Sequence, residues 1–271
     1  MTTQAPKARI TILGCGSSGG VPRVGIGWGN CDGSNPRNRR RRCSILVEQE
    51  GPDGVTTVLV DTSPDLREQL LSADVQHLDG VLITHAHADH IHGIDDVRPL
   101  ILKMRHRIDI HMDAPTADAV LLRFDYIFQT PPGSQYPPLL DFKPIEDGRA
   151  CVINGAGGAI SGIPFRLRHG DIDALGFRFG NVAYTPDVVD IPDESLSYLE
   201  DLDIWIIDAL QYRPHPSHFS LGEALEWIDR MKPRRAILTN LNTDLDFERL
   251  KSEIPAGVEP AWDGMTLTFN M

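Results

Sequence analysis

Cysteine is scarce in this chain: four among 271 residues, at positions 15, 31, 43 and 151, with no Cys-x-x-Cys pair and no dense framework. That excludes a small secreted scaffold stapled by disulfides and makes a reduced, cytoplasmic compartment the expectation. Positive charge is in deficit as well, 26 Lys and Arg against 38 Asp and Glu, for a net charge of −12. A uniformly basic surface is excluded, so no long nucleic acid is expected as a partner, while a local basic patch is still allowed. No apolar run approaches the roughly 18 residues of a membrane span, which argues against a membrane partner. The opening stretch, Met1 to Ile10, lacks the apolar core of a secretory leader. What is present is ordinary for a soluble globular protein: 41% hydrophobic and 24% charged residues, enough chain for one large domain or two small ones.

Short β-branched and apolar runs bounded by turn residues predict strands at Arg9–Leu13, Cys43–Glu48, Val55–Val60, Gly80–Thr84, Ile108–Met112, Phe165–Arg168, Phe177–Phe179, Val182–Tyr184, Ile204–Ile207, Ala236–Thr239 and Met265–Phe269. Helices are expected from Ser63, as cap before Pro64, to Leu71, and over Asp95–Arg107, Thr116–Phe128 and Ser220–Met231. The last carries Ser220 and Glu223 in capping-box spacing. Residues 14–42 and 130–140 are irregular and long, as functional loops tend to be. No repeat and no convincing linker divides the sequence, so residues 1–271 read as a single α/β domain.

The densest chemistry is Thr84-His85-Ala86-His87-Ala88-Asp89-His90-Ile91-His92-Gly93. A proportionate share of the ten histidines would put fewer than one in an eight-residue window, and the window 85–92 holds four. It follows Val81-Leu82-Ile83, at the end of an expected strand. In extended chain His85 and His87 point the same way and can share one ion, while Asp89 and His90 turn toward a second. Neutral imidazoles with a carboxylate suit zinc, manganese or iron better than calcium.

This segment resembles the metallo-β-lactamase fold superfamily, whose signature is His-x-His-x-Asp-His after a strand. Its phosphodiesterase branch, near the carbon–phosphorus lyase accessory phosphodiesterases, is also matched by Leu13-Gly14-Cys15-Gly16-Ser17-Ser18-Gly19-Gly20-Val21-Pro22, Asn38–Ser44, Val60–Arg67 and Gly93–Asp96, so nearly the whole chain is covered. The resemblance implies a four-layer αββα sandwich, a single metallo-β-lactamase-like hydrolase domain with two divalent metal ions, Zn2+ or Mn2+, at one edge. It implies His85, His87 and His169 on one metal, Asp187 between the two, and Asp89 and His90 on the second. Relatives commonly place a histidine on that second metal after Leu-Thr, whereas this chain has Leu238-Thr239-Asn240-Leu241-Asn242. Asn240, or Asn242, then offers only an amide oxygen, giving either a looser second site or one completed by water or substrate. The branch also carries a separate cysteine-held structural zinc. Only Cys31 is left in that neighbourhood, and Thr243 stands where a histidine would help, so that zinc is expected to be absent.

The function implied is hydrolysis of a small cyclic phosphate or nucleotide-like phosphodiester by metal-activated hydroxide, with His218 and Asp89 as catalytic residues and His218 donating the proton to the leaving oxygen. Arg37-Asn38-Arg39-Arg40-Arg41-Arg42 is a charge run, and such runs are usually solvated or paired. Guanidinium forks also bind phosphate, which makes Arg39 and Arg42, with His218, the substrate-binding candidates. Asp61, ending its own strand, is expected to hydrogen-bond a ligating histidine, and His92 to support the site. His215 reads as a turn residue, and His77, His106 and His111 as structural. Trp28 and Tyr136 read as hydrophobic anchors of their loops. Three other functions stay open: tRNA 3′ processing as in ribonuclease Z, thioester or lactam hydrolysis, and ligand binding without catalysis as in the quinone-cofactor biosynthesis member. A homodimer also stays open.

Overall fold

The computed structural model describes residues 7–271; the residues before these, on which the absence of a leader was partly read, lie outside the described part. Two seven-stranded mixed sheets face each other. The first contains β1 (Lys7–Gly14), β2 (Ser44–Gly51), β3 (Gly54–Val60), β4 (Gly80–Leu82), β5 (Ile108–Met112), β6 (Leu140–Pro144) and, at the other edge beside β1, β14 (Thr266–Asn270). The second runs in sequence from β7 (Cys151–Gly155) through β8 (Gly158–His169), β9 (Ile172–Phe179), β10 (Val182–Thr185), β11 (Ile204–Asp208) and β12 (Arg235–Thr239) to β13 (Val258–Pro260). Each sheet is antiparallel on one side and parallel on the other, β3–β6 in the first and β10–β13 in the second.

The two-residue period of the strands builds the layers. In β2, Ile45 and Val47 enter the core between the sheets while Leu46 faces the helices outside. In β11, Ile204 and Ile206 face inward while Trp205 and Ile207 meet the other helical layer. The first outer layer holds α1 (Leu66–Ser72), α3 (Arg98–Met104), α4 (Ala114–Arg123) and α5 (Asp125–Phe128); α2 (Ala88–Ile91) is the single turn inside the histidine motif. The second outer layer holds α6 (Leu221–Met231) and α7 (Phe247–Glu253). This is the αββα sandwich. No helix among the described residues is long and apolar enough to cross a membrane.

Several local expectations are corrected. The helix expected from Ser63 starts at Leu66, because the Ser63 carbonyl accepts from Leu66 N–H and its hydroxyl bonds Gln69, making residues 63–65 a turn. The Asp95–Arg107 segment opens with a 3-10 turn, Ile94–Val97, before α3. The Thr116–Phe128 segment breaks at Phe124, whose φ of −131° leaves the helical region. β6, β7, β13 and α7 carried too little apolar periodicity to be read. The capping box of α6 forms as spaced: Glu223 N–H donates to the Ser220 hydroxyl and the Glu223 carboxylate accepts from Ser220 N–H.

Candidate metal centre

The parallel strands of both sheets end at the same edge of the sandwich, where loops free of ladder hydrogen bonds hold side chains over a shared cleft. Leu175 N–H donates to the Thr84 carbonyl across the sheets and ties the two halves there. The histidine motif is pressed onto the end of β3: Thr62 N–H donates to the His90 carbonyl, and Gly93 N–H to the Thr62 carbonyl. Gly93 has to be glycine, since a Cβ there would lie 1.9 Å from the Ser63 carbonyl oxygen.

Side-chain partners set the tautomers. His90 Nδ1–H donates to Asp61 Oδ2 at 2.7 Å, and His169 Nδ1–H to the Ser217 carbonyl at 2.6 Å. The Thr84 hydroxyl donates to Asp61 and lies 3.0 Å from His85 Nδ1, from which it accepts. His85, His90 and His169 thereby turn Nε2 lone pairs into the cleft. His87 Nδ1 sits 3.1 Å from both His85 Nε2 and His169 Nε2. At most one of those contacts can hold a proton. A tetrahedral ion with bonds of about 2.05 Å has ligand–ligand edges of about 3.3 Å, so the triad suits a divalent cation.

Asp187 joins this triad to a second group. Its Oδ2 is 3.5 Å from His169 Nε2 and 3.9 Å from His85 Nε2, while its Oδ1 is 3.1 Å from His90 Nε2. Asp89 Oδ2 also faces His90 Nε2, at 3.5 Å. Asp187 Oδ1 and His90 Nε2 are both buried and face each other at 3.1 Å without meeting hydrogen-bond geometry or finding another partner, an arrangement that a cation between them would satisfy. Burial alone would lower the His90 pKa, but Asp187, Asp61 and Asp89 outweigh it and raise it well above the usual value. His85, desolvated and surrounded by His90, His169 and His87, is held well below. The potential is therefore negative on the His90 side, where positive charge is welcome.

Asn240 follows β12 directly and has φ +61°, a conformation asparagine tolerates. Its amide nitrogen donates to the Pro186 carbonyl at 2.9 Å and lies 3.1 Å from His218 Nδ1, leaving Oδ1 as its one ligand atom. His218 Nδ1–H donates to Asp208 Oδ2 at 2.8 Å, and its Nε2 stands 3.8 Å from Asp187 Oδ2. Burial would lower its pKa, yet Asp208, with Asp187 and Asp89 behind it, pushes the imidazole up to about 9. Asp208, Thr84 and the Ser217 carbonyl were missed from sequence. Asp208 carries a readable signal, a carboxylate closing the apolar run Ile204-Trp-Ile-Ile, just as Asp61 closes Val58-Leu-Val.

The arginine run divides. Arg40 is buried, donating to the Leu245 carbonyl at 2.7 Å and the Asn242 carbonyl at 3.2 Å, with Nη1 3.9 Å from Cys31 Sγ. Its guanidinium occupies the neighbourhood of Cys31 and Thr243. Arg41 pairs with Asp263. Arg39 stacks over Trp28, and Arg42 faces Asp65 with Nε unbonded; both line a cavity of about 520 Å³ beside Gly20 and α1, whose wall includes none of the cluster residues. The glycine loop runs between this arginine segment and the chain after β12: a Cβ on Gly14 would fall 2.0 Å from the Arg42 carbonyl oxygen, and Leu241, next to Asn240, donates its N–H to the Cys15 carbonyl at 2.8 Å. Two further expectations are overturned. His92 is exposed and meets only the edge of Phe124, because the turn of α2 carries it away from the ligands. Tyr136 is 77% exposed and anchors nothing, whereas Trp28 is half-buried against Gly33.

Two facing mixed sheets with a His/Asp cluster of this kind at their common edge define the metallo-β-lactamase fold. The chain belongs to that superfamily: residues 56–239 match the family model of the β-lactamase superfamily domain. It is similar to the crystal structure of a new diphosphatase from the PhnP family, 35% identical with a TM-score of 0.87 and 98% of each chain covered. It is also similar to an octanoyltransferase of Porphyromonas gingivalis, 30% identical over 261 residues, 95% of this chain and 51% of that protein. A ribonuclease Z of Bradyrhizobium diazoefficiens is 31% identical over 156 residues, 55% of this chain and 48% of that protein. The chain thus spans about half the length of these curated relatives, whose names share no single substrate.

Proposed function

We propose that residues 1–271 act as one metal-dependent phosphodiesterase domain that cleaves a small diester, a cyclic phosphate or a nucleotide-like diphosphate diester. The observation that carries this reading is the Asp208–His218 pair: an imidazolium held by a buried carboxylate, its free Nε2–H facing the bridging position of Asp187. Hydrolysis of a diester with an alkoxide leaving group needs such a proton donor. Similarity to a diphosphatase over the full chain supports the same class.

In this reading His85, His87 and His169 would hold one divalent ion, Zn2+ or Mn2+, and Asp89 and His90 a second, with Asp187 available to both and Asn240 Oδ1 as a weak further ligand. Ions bound there supply Lewis-acid polarisation and lower the pKa of water toward neutrality. Asp61 and Thr84 fix the rings of His90 and His85, and Ser217 fixes His169. His218 donates its Nε2 proton to the leaving oxygen, and Asp208 stabilises the charged imidazole before transfer. Arg39 and Arg42, in a cavity whose wall includes none of the cluster residues, would meet only a nucleotide-like substrate long enough to reach it. Four buried, free cysteines support a reducing, cytoplasmic setting.

The test is hydrolysis of bis(p-nitrophenyl) phosphate by chelator-stripped protein, with zinc or manganese restored and the monoester run alongside. Diester turnover that returns with metal is the expected result. Failure with every metal overturns the reading.

A further inference from the structure

The cluster reaches solvent through His87, which is exposed like its neighbour Ala88, with Asp89 half-buried beside them. The elbow between α4 and α5 lies along this rim. Arg123, the last residue of α4, donates through Nη1 to the carbonyl of Ala86, the residue between two of the clustered histidines, at 2.8 Å. The next residue, Phe124, meets the His92 ring edge-on at 5.9 Å. The other N–H groups of Arg123 make no hydrogen bond among the described residues, and no carboxylate pairs with it there. In a chain this acidic, an unpaired guanidinium pinned beside the cluster is conspicuous.

We propose that Arg123 is a substrate-binding residue that grips the non-bridging oxygens of a phosphoryl group entering the cleft. One N–H on Ala86 restrains the guanidinium, and Nε with Nη2 stays available as a planar fork that fits two phosphate oxygens. The anion is identified through the phosphodiesterase reading, so the test reads binding rather than turnover. An alternative role, a cation complementing the C-terminus of α4, would leave phosphate affinity untouched.

Inorganic phosphate is titrated calorimetrically into the manganese-loaded full chain, comparing the parent with Arg123→Gln, Arg123→Lys and the remote surface control Lys251→Gln. Arg123→Gln is expected to weaken phosphate binding about tenfold to a hundredfold, Arg123→Lys by less, and Lys251→Gln by under about twofold, with manganese content unchanged. Equal behaviour of the parent and Arg123→Gln, including no binding by either, overturns the proposal. So does manganese loss in Arg123→Gln with unchanged phosphate affinity per loaded site, which would reduce Arg123 to holding the 85–87 turn. If the parent fails to hydrolyse bis(p-nitrophenyl) phosphate while Arg123→Gln still loses phosphate affinity, the anion site stands and the phosphodiesterase reading falls.

Discussion

Asp61 Oδ2 and His90 Nδ1 share a fully buried hydrogen bond of 2.7 Å that joins the end of β3 to the histidine motif following β4. The same carboxylate accepts from the backbone and hydroxyl of Thr84, so one side chain sets the orientation of His90 directly and of His85 through Thr84. Its backbone φ is +65°, a conformation that asparagine also accepts.

Asp61→Asn therefore retains the turn but replaces an acceptor with a donor facing His90 Nδ1–H. Metal affinity should fall about tenfold to a hundredfold, read by competition with a chromogenic chelator. The fold should persist by circular dichroism. Unchanged affinity would mean that Asp61 only shapes the backbone.

Asp208→Asn tests the charge behind His218. In the proposed mechanism the protonated imidazole is the acid, and the carboxylate holds its pKa up at about 9, so kcat/KM on a diester with a poor leaving group should decline as pH rises through that value. Removing the carboxylate lowers the His218 pKa, and the alkaline limb should move down toward the ordinary imidazole value of 6.5. A limb that stays in place in the measured pH profile would assign the proton to another group.

Asn240→His should strengthen the site on the His90 side, because imidazole is a better donor than an amide oxygen for a borderline metal and histidine tolerates φ near +60°. The expected outcome is a second equivalent of zinc or manganese retained through gel filtration where the parent retains less. Equal retention would show that residue 240 does not reach the metal.

Arg40→Ala should destabilise the fold by about 2–5 kcal/mol in urea, since it strands the carbonyls of Asn242 and Leu245 and leaves a void under the loop after β12. Arg40→Met should cost less, because it refills the volume and loses only the hydrogen bonds. A surface-like cost below about 0.5 kcal/mol would contradict the pinning role.

The histidine motif was legible because its chemistry is local: four histidines in eight residues after an apolar strand need no distant partner to be noticed. His169 and Asp187 are single residues at strand ends and stood out only through the resemblance. Asp208 was passed over because its chain position says nothing about His218, ten residues on, until β11 and the loop before α6 fold back together. The arginine run misled in another way. Five similar side chains in six residues look equivalent in sequence, yet Arg40 is buried on backbone carbonyls, Arg41 is paired with Asp263, Arg42 with Asp65, and Arg39 stacks over Trp28. Phe124 breaks a helix that periodicity alone runs straight through.

Most of the apolar strands, the capping box of α6 and the residue types able to hold a metal were legible in the linear chain, since alternation, capping and ligand chemistry act over a few residues. Which nitrogen each histidine presents, which arginines remain available for an anion, and which carboxylate stands behind His218 were decided by the meeting of two sheet edges. Those properties depend on distances between residues as far apart as Asp61 and His90 or Arg40 and Leu245, and only packing of the whole sandwich sets such distances.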